Sequence, residues 1–228
     1  MPASTDMNQS GYLHRYFLNN SNKRLHKWVH YFDIYERHFS RFRGKSPVFL
    51  EVGVFGGGSL EMWKDYFGEG SRIIGIDINP DCRQHESENV KIYIGSQDDP
   101  LLIDAVLKDF PSIDIVLDDG SHVMRHMVAT FDLLYSKISS TGLYMVEDTH
   151  TCYWDEYEGG LSRPNTFVEF TKCKFDELNA VHTRGEVEVS EFTRSTDFIA
   201  VYDSIIAFEK KPQGVRQAPI TGPMDMQR

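Results

Sequence analysis

The sequence is short of several things, and each shortage removes a class of function. It holds three cysteines, Cys82, Cys152 and Cys173, odd in number and without a C-x-x-C pair. That argues against a disulfide framework or a cysteine-rich zinc site and for a reducing, cytoplasmic setting. Basic residues are outnumbered, 24 Lys and Arg against 34 Asp and Glu, for a formal net charge of −10. Such a surface repels phosphate backbones and anionic lipid, so no nucleic acid and no membrane partner is expected. No apolar run reaches the length of a membrane span, and the opening MPASTDMNQSGYLHRYF lacks a basic-then-apolar signal pattern. There is no internal repeat and no low-complexity segment. At 228 residues the chain suits one well-buried domain and is short for two.

What is present alternates in kind. NKRLHKWVHYFDIYERHFSRF places Leu25, Trp28, Phe32, Tyr35 and Phe39 at three- and four-residue steps, an amphipathic helix that GKSP breaks. VFLEVGV (48–54), RIIGIDI (72–78), VKIYIG (90–95), IDIVLDD (113–119) and GLYMVED (142–148) read as apolar strands. Helices are expected over 59–67, over 99–110 with Asp99 capping ahead of Pro100, and from about His122 to Ile138 with Ser121 as cap. Strands apolar on both faces and alternating with helices imply a parallel α/β sheet covered on both sides. TDFIAVYDSIIAFEK (196–210) reads instead as an antiparallel pair around Tyr202-Asp203-Ser204.

In such a sheet, ligands sit beyond the carboxyl ends of the strands. LEVGVFGGGSLEMW lies there, with Gly53, Gly56, Gly57 and Gly58 turning the chain and Ser59 opening a helix. A turn without a ligand is the plain alternative. Phe55 replaces the second glycine of a dinucleotide loop, and Glu51 adds a negative charge better suited to a cationic ligand than to a diphosphate. Asp77 ends the second strand where a ribose could be bound, and Ser96, Gln97 and Asp98 follow the third, where they could bracket an adenine. These features together suit S-adenosyl-L-methionine (SAM). Two further strands end in acid pairs, Asp118-Asp119 and Glu147-Asp148, which neighbouring parallel strands bring together. Such a cluster calls for a compensating cation, and oxygen ligands without cysteine favour Mg²⁺. His122, three residues after Asp119, is the candidate general base, the alternative being a histidine that only decorates the helix start. His126 reads as a helix-surface or supporting residue, since H-x-x-x-H here lacks the glutamate of the zinc-protease pattern.

VFLEVGVFGGGSLEMW, IIGIDINP, GSQDD, IDIVLDDGSHV and GLYMVEDTHTCYW resemble successive motifs of the class I SAM-dependent methyltransferases. They are most similar to the metal-dependent macrolide-sugar (mycinamicin-type) and rhamnosyl O-methyltransferases, over roughly residues 25 to 210. The resemblance implies a Rossmann-like fold with a seven-stranded, mostly parallel sheet ending in an antiparallel hairpin. It implies Asp119, Glu147 and Asp148 as Mg²⁺ ligands and His122 as the base. Asp118 would face the methionine end of SAM, and Glu51, Gly53, Phe55, Gly56, Ser59, Asp77, Asn79, Ser96, Gln97 and Asp98 would line the rest of the cofactor site. THTCYWDEYEGG would line the acceptor pocket, with Tyr153, Trp154 and Tyr157 stacking on a sugar, although aromatics there serve loop packing equally well. The expected reaction is methyl transfer to a hydroxyl of a small acceptor, a sugar of a natural product or glycan. An aromatic diol acceptor and a non-catalytic SAM-binding subunit are the alternatives. The expected organisation is an N-terminal helical segment (1–45), a methyltransferase domain (46–210) and a disordered tail (211–228). The macrolide enzymes carry a large auxiliary domain ahead of this region, where the present sequence has one or two helices, and a homo-oligomer is left open.

Overall fold

A computed structural model describes residues 11–222. Its seven strands are β1 (Val48–Val52), β2 (Arg72–Asp77), β3 (Val90–Ile94), β4 (Ile113–Asp118), β5 (Ile138–Val146), β6 (Thr196–Val201) and β7 (Ile206–Lys210). They form one sheet in the order β3-β2-β1-β4-β5-β7-β6. The first five strands run parallel, and β7 is antiparallel to both of its neighbours. The α-helices are α1 (Tyr12–Leu18), α2 (Tyr31–Phe39), α3 (Gly58–Phe67), α4 (Pro100–Asp109), α5 (Met124–Leu134), α6 (Phe167–Leu178) and α7 (Glu191–Ser195). Among the described residues no helix is long and apolar enough to cross a membrane.

The period-two geometry of each strand divides its apolar residues between two cores. On one face Phe49, Ile73, Leu117 and Met145 meet aromatic side chains of α2 and α3. Trp63 anchors that layer, its ring 5.2 Å from Tyr35, 5.5 Å from Phe39 and 5.1 Å from Phe49. On the other face Leu50, Ile74, Val116 and Tyr144 pack against Ile103, Met127, Phe131 and Phe167 of α4, α5 and α6. Each such buried side chain contributes roughly 1.5–3 kcal/mol. Register then sets the cleft. Val52 pairs with Asp118, and Asp118 with Val146, so Gly53, Asp119 and Glu147 all begin one residue past the sheet at the same level.

Asp99 caps α4 as its sequence predicts, accepting from the Leu101 N–H at 2.9 Å, with Pro100 at the first turn. Three boundaries differ from expectation. The N-terminal helix begins only at Tyr31, and Trp28, expected in its buried stripe, is 52% exposed. The helix expected from His122 begins at Met124 after Val123, and Ser121 does not cap it. The Ser121 hydroxyl instead accepts from the Val123 N–H at 3.3 Å and meets His126 Nδ1 at 2.8 Å. That helix also stops at Leu134, because Ile138 already starts β5 beside Ile113. Residues 1–10, and 223–228 of the expected tail, lie outside the described residues.

Candidate active site

The strand ends enclose a cavity of about 460 Å³ lined by Gly53, Phe55, Asp77, Asn79, Cys82, Asp119, Gly120, His122, Glu147 and Asp148, with His26, Lys27 and Trp28 closing it from the N-terminal side. A larger groove of about 1190 Å³ lies between α5 and α6, lined by Arg125, Arg163 and Lys172 together with Asp132, Glu169 and Asp176. The carboxylate cluster is not part of it, and its charges are of both signs.

Two carboxylates and the histidine converge in the smaller cavity. His122 Nε2 lies 3.7 Å from Asp119 Oδ1 and 3.6 Å from Asp148 Oδ2. Among the described residues, Asp119, His122 and Asp148 form the group that offers three ligand atoms within 4.8 Å of one another. His122 and Asp148 both sit in the left-handed region, at φ 57° and 54°, as does Phe55 at 50°. Side chains held there cost of order 1–3 kcal/mol each, and such strain concentrates at functional sites. The His122 carbonyl is fixed by the Thr151 hydroxyl at 3.3 Å, and its ring faces Tyr157 at 6.4 Å.

Glu147 is 1% exposed and held from behind. Its Oε1 accepts from the Tyr35 hydroxyl at 2.5 Å, and the Lys27 ammonium reaches its two oxygens at 3.0 and 3.1 Å. Burial raises the pKa of Glu147 well above the ordinary carboxylate range, and nearby Asp119 adds to the rise while Lys27 opposes it. Lys27 Nζ also donates to Asp119 Oδ2 at 2.5 Å and stands 3.6 Å from Glu51 Oε1. Burial disfavours that ammonium, but Asp119, Glu147 and Glu51 outweigh it and raise its pKa well above the ordinary lysine value. Asp148 Oδ1 accepts from the Tyr31 hydroxyl at 2.6 Å. Lys27, Tyr31 and Tyr35 touch the site's acids, whereas sequence reasoning put Tyr35 in the buried stripe of a helix and gave Lys27 and Tyr31 no role. One signal was available: a lysine and two tyrosines at four-residue steps inside a stretch that already carried the family resemblance.

The residues expected at the cofactor separate into two sets. Gly53, Phe55, Asp77 and Asn79 line the cavity. Asp77 Oδ2 accepts from the Val54 and Phe55 N–H groups at 2.8 and 3.1 Å, which shapes the glycine turn around it. Glu51 and Ser59 are buried beneath the floor, where Ser59 donates to Glu51 at 2.7 Å and the Trp63 indole does so at 3.1 Å. Burial carries the Glu51 pKa up to about 6, with Lys27 opposing the rise. Asp118 is likewise buried, on the opposite side of the strand from Asp119, and accepts from Gln97 at 3.0 Å and Tyr144 at 3.3 Å. Gln97 Oε1 in turn accepts from the Ser121 N–H at 2.8 Å, while Ser96 bonds Asp98, whose other oxygen lies 3.6 Å from His126. Gly56 faces the N-terminal segment: a Cβ there would lie 2.6 Å from the Arg24 Cβ. The turn's glycines therefore serve chain packing as well as the cavity. None of the three aromatics expected at an acceptor lines this cavity: the Tyr157 ring lies 6.4 Å from His122, and Trp154 and Tyr153 are 45% and 54% exposed. Trp154 stacks edgewise on His150 at 4.7 Å, and His150 on Trp28 at 6.0 Å.

The carboxylate oxygens, with no thiolate among them, fit a hard divalent cation, and the imidazole beside them suits a base rather than a ligand for such an ion. Cys82 lines the cavity, but burial pushes its thiol up to about 11 and keeps it protonated.

No family model matches the chain. It is 38% identical to an 8-demethyl-8-alpha-L-rhamnosyl tetracenomycin-C 2'-O-methyltransferase of Streptomyces olivaceus over 163 residues, 67% of this chain and 43% of that protein. It is 37% identical to a demethylmacrocin O-methyltransferase of Streptomyces fradiae over 166 residues, 67% of this chain and 41% of that protein. The fold matches the MycE methyltransferase of mycinamycin biosynthesis, solved with Mg, SAH and mycinamycin VI, at a TM-score of 0.77 and 28% identity, covering 94% of this chain and 56% of that one. The sheet order and this likeness show that the chain has the fold of the class I SAM-dependent methyltransferases. Within that class its relatives are sugar O-methyltransferases of natural-product pathways, and it spans about two fifths of the length of the curated ones.

Proposed function

We propose that this chain transfers a methyl group from SAM to a hydroxyl of a small glycosidic acceptor, with a divalent cation, Mg²⁺ by its chemistry, in the cleft. The observation that carries this reading is the convergence of Asp119 Oδ1, Asp148 Oδ2 and His122 Nε2 in a cavity that Asp77 and Gly53 also line. The sugar-directed relatives and the Mg and SAH in the MycE structure support the choice of acceptor class, cation and cofactor.

Asp119 and Asp148, with Glu147 beside them, would hold the cation, which when bound supplies positive charge to the oxygens of the acceptor. His122 then accepts the hydroxyl proton at Nε2, its backbone clamped by Thr151 so that the ring stays over the carboxylates. Asp77, in the cavity wall, would bind the ribose hydroxyls, and the Gln97–Asp98 turn would border the adenine. Tyr157 and Trp154 give a sugar an aromatic wall, and positioning for in-line displacement provides much of the acceleration. The whole protein's acceptor and assembly, a homo-oligomer included, belong to the same proposal.

The test is methyl transfer from labelled SAM to two acceptor panels, rhamnosyl or macrolide glycosides and catechols, with and without EDTA. Transfer to a glycoside that EDTA stops and Mg²⁺ restores is expected. Full activity in chelator removes the metal role, and activity confined to catechols replaces the acceptor class.

A further inference from the structure

The N-terminal segment places a lysine where a cation-binding basin would be expected to hold none. Lys27 is 2% exposed through its side chain and lies among three carboxylates: Asp119 at 2.5 Å, Glu147 at 3.0 Å and Glu51 at 3.6 Å. An ammonium has three N–H donors and no acceptor, so it can satisfy three acids at once. Burying a charge costs several kcal/mol, so an arrangement like this holds together only where the partners are well placed.

The contacts divide the carboxylate oxygens by side. Asp119 Oδ2 is tied to Lys27, and Asp148 Oδ1 to Tyr31. Glu147 Oε1 is tied to Tyr35 and Lys27 together. The opposite oxygens, Asp119 Oδ1 and Asp148 Oδ2, are the ones that approach His122 Nε2 at 3.7 and 3.6 Å. One stretch of chain, from Lys27 to Tyr35, thus grips each acid from the inner side and leaves an oxygen of two of them facing the common outer point. Free carboxylates of this kind rotate. These cannot rotate without breaking a hydrogen bond to Lys27, Tyr31 or Tyr35.

We infer that Lys27 is a positioning residue of the metal centre, a fixed ammonium that pins Asp119 and is itself anchored on Glu147, so that the outer oxygen of Asp119 stays turned toward the point it shares with Asp148, where a divalent ion would be held. The inference rests on the cation reading given above. Lys27 would stay in place with an ion bound, its ammonium on Asp119 Oδ2 and Asp119 Oδ1 left for the cation. Groups that orient metal ligands in this way typically carry a 10- to 100-fold effect on metal affinity.

Mn²⁺ serves as the probe, because it reports by anomalous scattering and by calorimetry without turnover. In crystals of the full chain soaked in MnCl₂, an anomalous peak is expected beside Asp119 and Asp148, with Lys27 Nζ still in hydrogen-bond range of Asp119 and Glu147. Calorimetry on Lys27→Met should show Mn²⁺ binding roughly 10- to 100-fold weaker than wild type, with a melting curve confirming that the variant is folded. Mn²⁺ at the lysine's own position with the side chain swung out overturns the inference. Equal or tighter Mn²⁺ binding by folded Lys27→Met does the same, since it makes the lysine a competitor. If the variant does not fold, the wild-type crystals decide alone. Wild-type protein that binds no Mn²⁺ takes away the metal reading itself, and the role of Lys27 with it.

Discussion

At the scale of single residues, the cleft is built from side chains in costly conformations. Phe55, His122 and Asp148 all have positive φ, in a region that a residue with a Cβ seldom enters. For His122 the consequence is positional. A helical backbone would carry its ring with the helix, whereas the left-handed turn between Gly120 and Val123 places Nε2 over Asp119 and Asp148. Replacing His122 with Ala is expected to lower kcat by roughly 10²- to 10⁴-fold, the usual worth of a positioned base, while SAM affinity stays close to wild type. His122→Asn is the companion variant, since asparagine tolerates the left-handed region. It should lose turnover equally, because the imidazole is gone although the backbone is satisfied. Wild-type rates from either variant would assign the base elsewhere.

At the scale of elements, the cleft depends on how tightly the end of β1 approaches the end of β4. Gly53 has φ of +92°, and a Cβ on it would lie 2.0 Å from the Asp119 carbonyl oxygen. No side-chain rotation relieves a clash with backbone, so the strand ends must separate. Gly53→Ala should therefore destabilise the fold by more than about 2 kcal/mol, within the range for strained-backbone substitutions, and shift Asp119 out of line with Glu147. Urea unfolding measures the first effect and Mn²⁺ titration the second. A variant with unchanged stability and metal affinity would show that the close approach is dispensable. The second element of consequence is α2, which packs Phe32, Tyr35 and Phe39 into the core while turning the Tyr31 and Tyr35 hydroxyls toward the acids. Packing and site chemistry share one helix.

At the scale of the whole molecule, stability should depend on pH through a group far from the cleft. His38 is on α2 beside the β6–β7 hairpin, with Nε2 2.9 Å from the Tyr202 hydroxyl. Arg37 and Arg41 are nearby, and Glu209 is 4.0 Å from Nδ1. Burial, reinforced by the two arginines, lowers its pKa to about 4. Above about pH 6.5 the residue is neutral in both the folded and the unfolded chain and contributes nothing. As pH falls from there toward 4, the unfolded chain takes up a proton that the fold refuses, and stability declines by at most about 3 kcal/mol. His38→Gln should flatten that part of the stability profile. Denaturant unfolding of both proteins between pH 4 and 7 tests it, and parallel profiles would assign the acid sensitivity to other groups.

Much of this protein follows from local pattern. Apolar runs bounded by turns located β1 to β4 within a residue or two, although β5 begins four residues before its expected start; Asp99-Pro100 located the start of α4, and the run around Tyr202-Asp203-Ser204 located the antiparallel pair. Acids at strand ends announced the cleft, because parallel strands must bring such ends to one edge of the sheet. What the pattern could not carry was direction. Helical spacing in 22–42 left open that the helix starts only at Tyr31, and by itself it did not place Lys27, over a hundred residues from Glu147, in the acid cluster. Nor could it show that Asp118 and Glu51 are sealed beneath the cavity floor, or that Gly56 faces Arg24. Residue type and spacing reflect forces along a segment. Which oxygen of a carboxylate meets an ammonium and which is left for a ligand depends on contacts between distant segments, and only the folded chain brings those together.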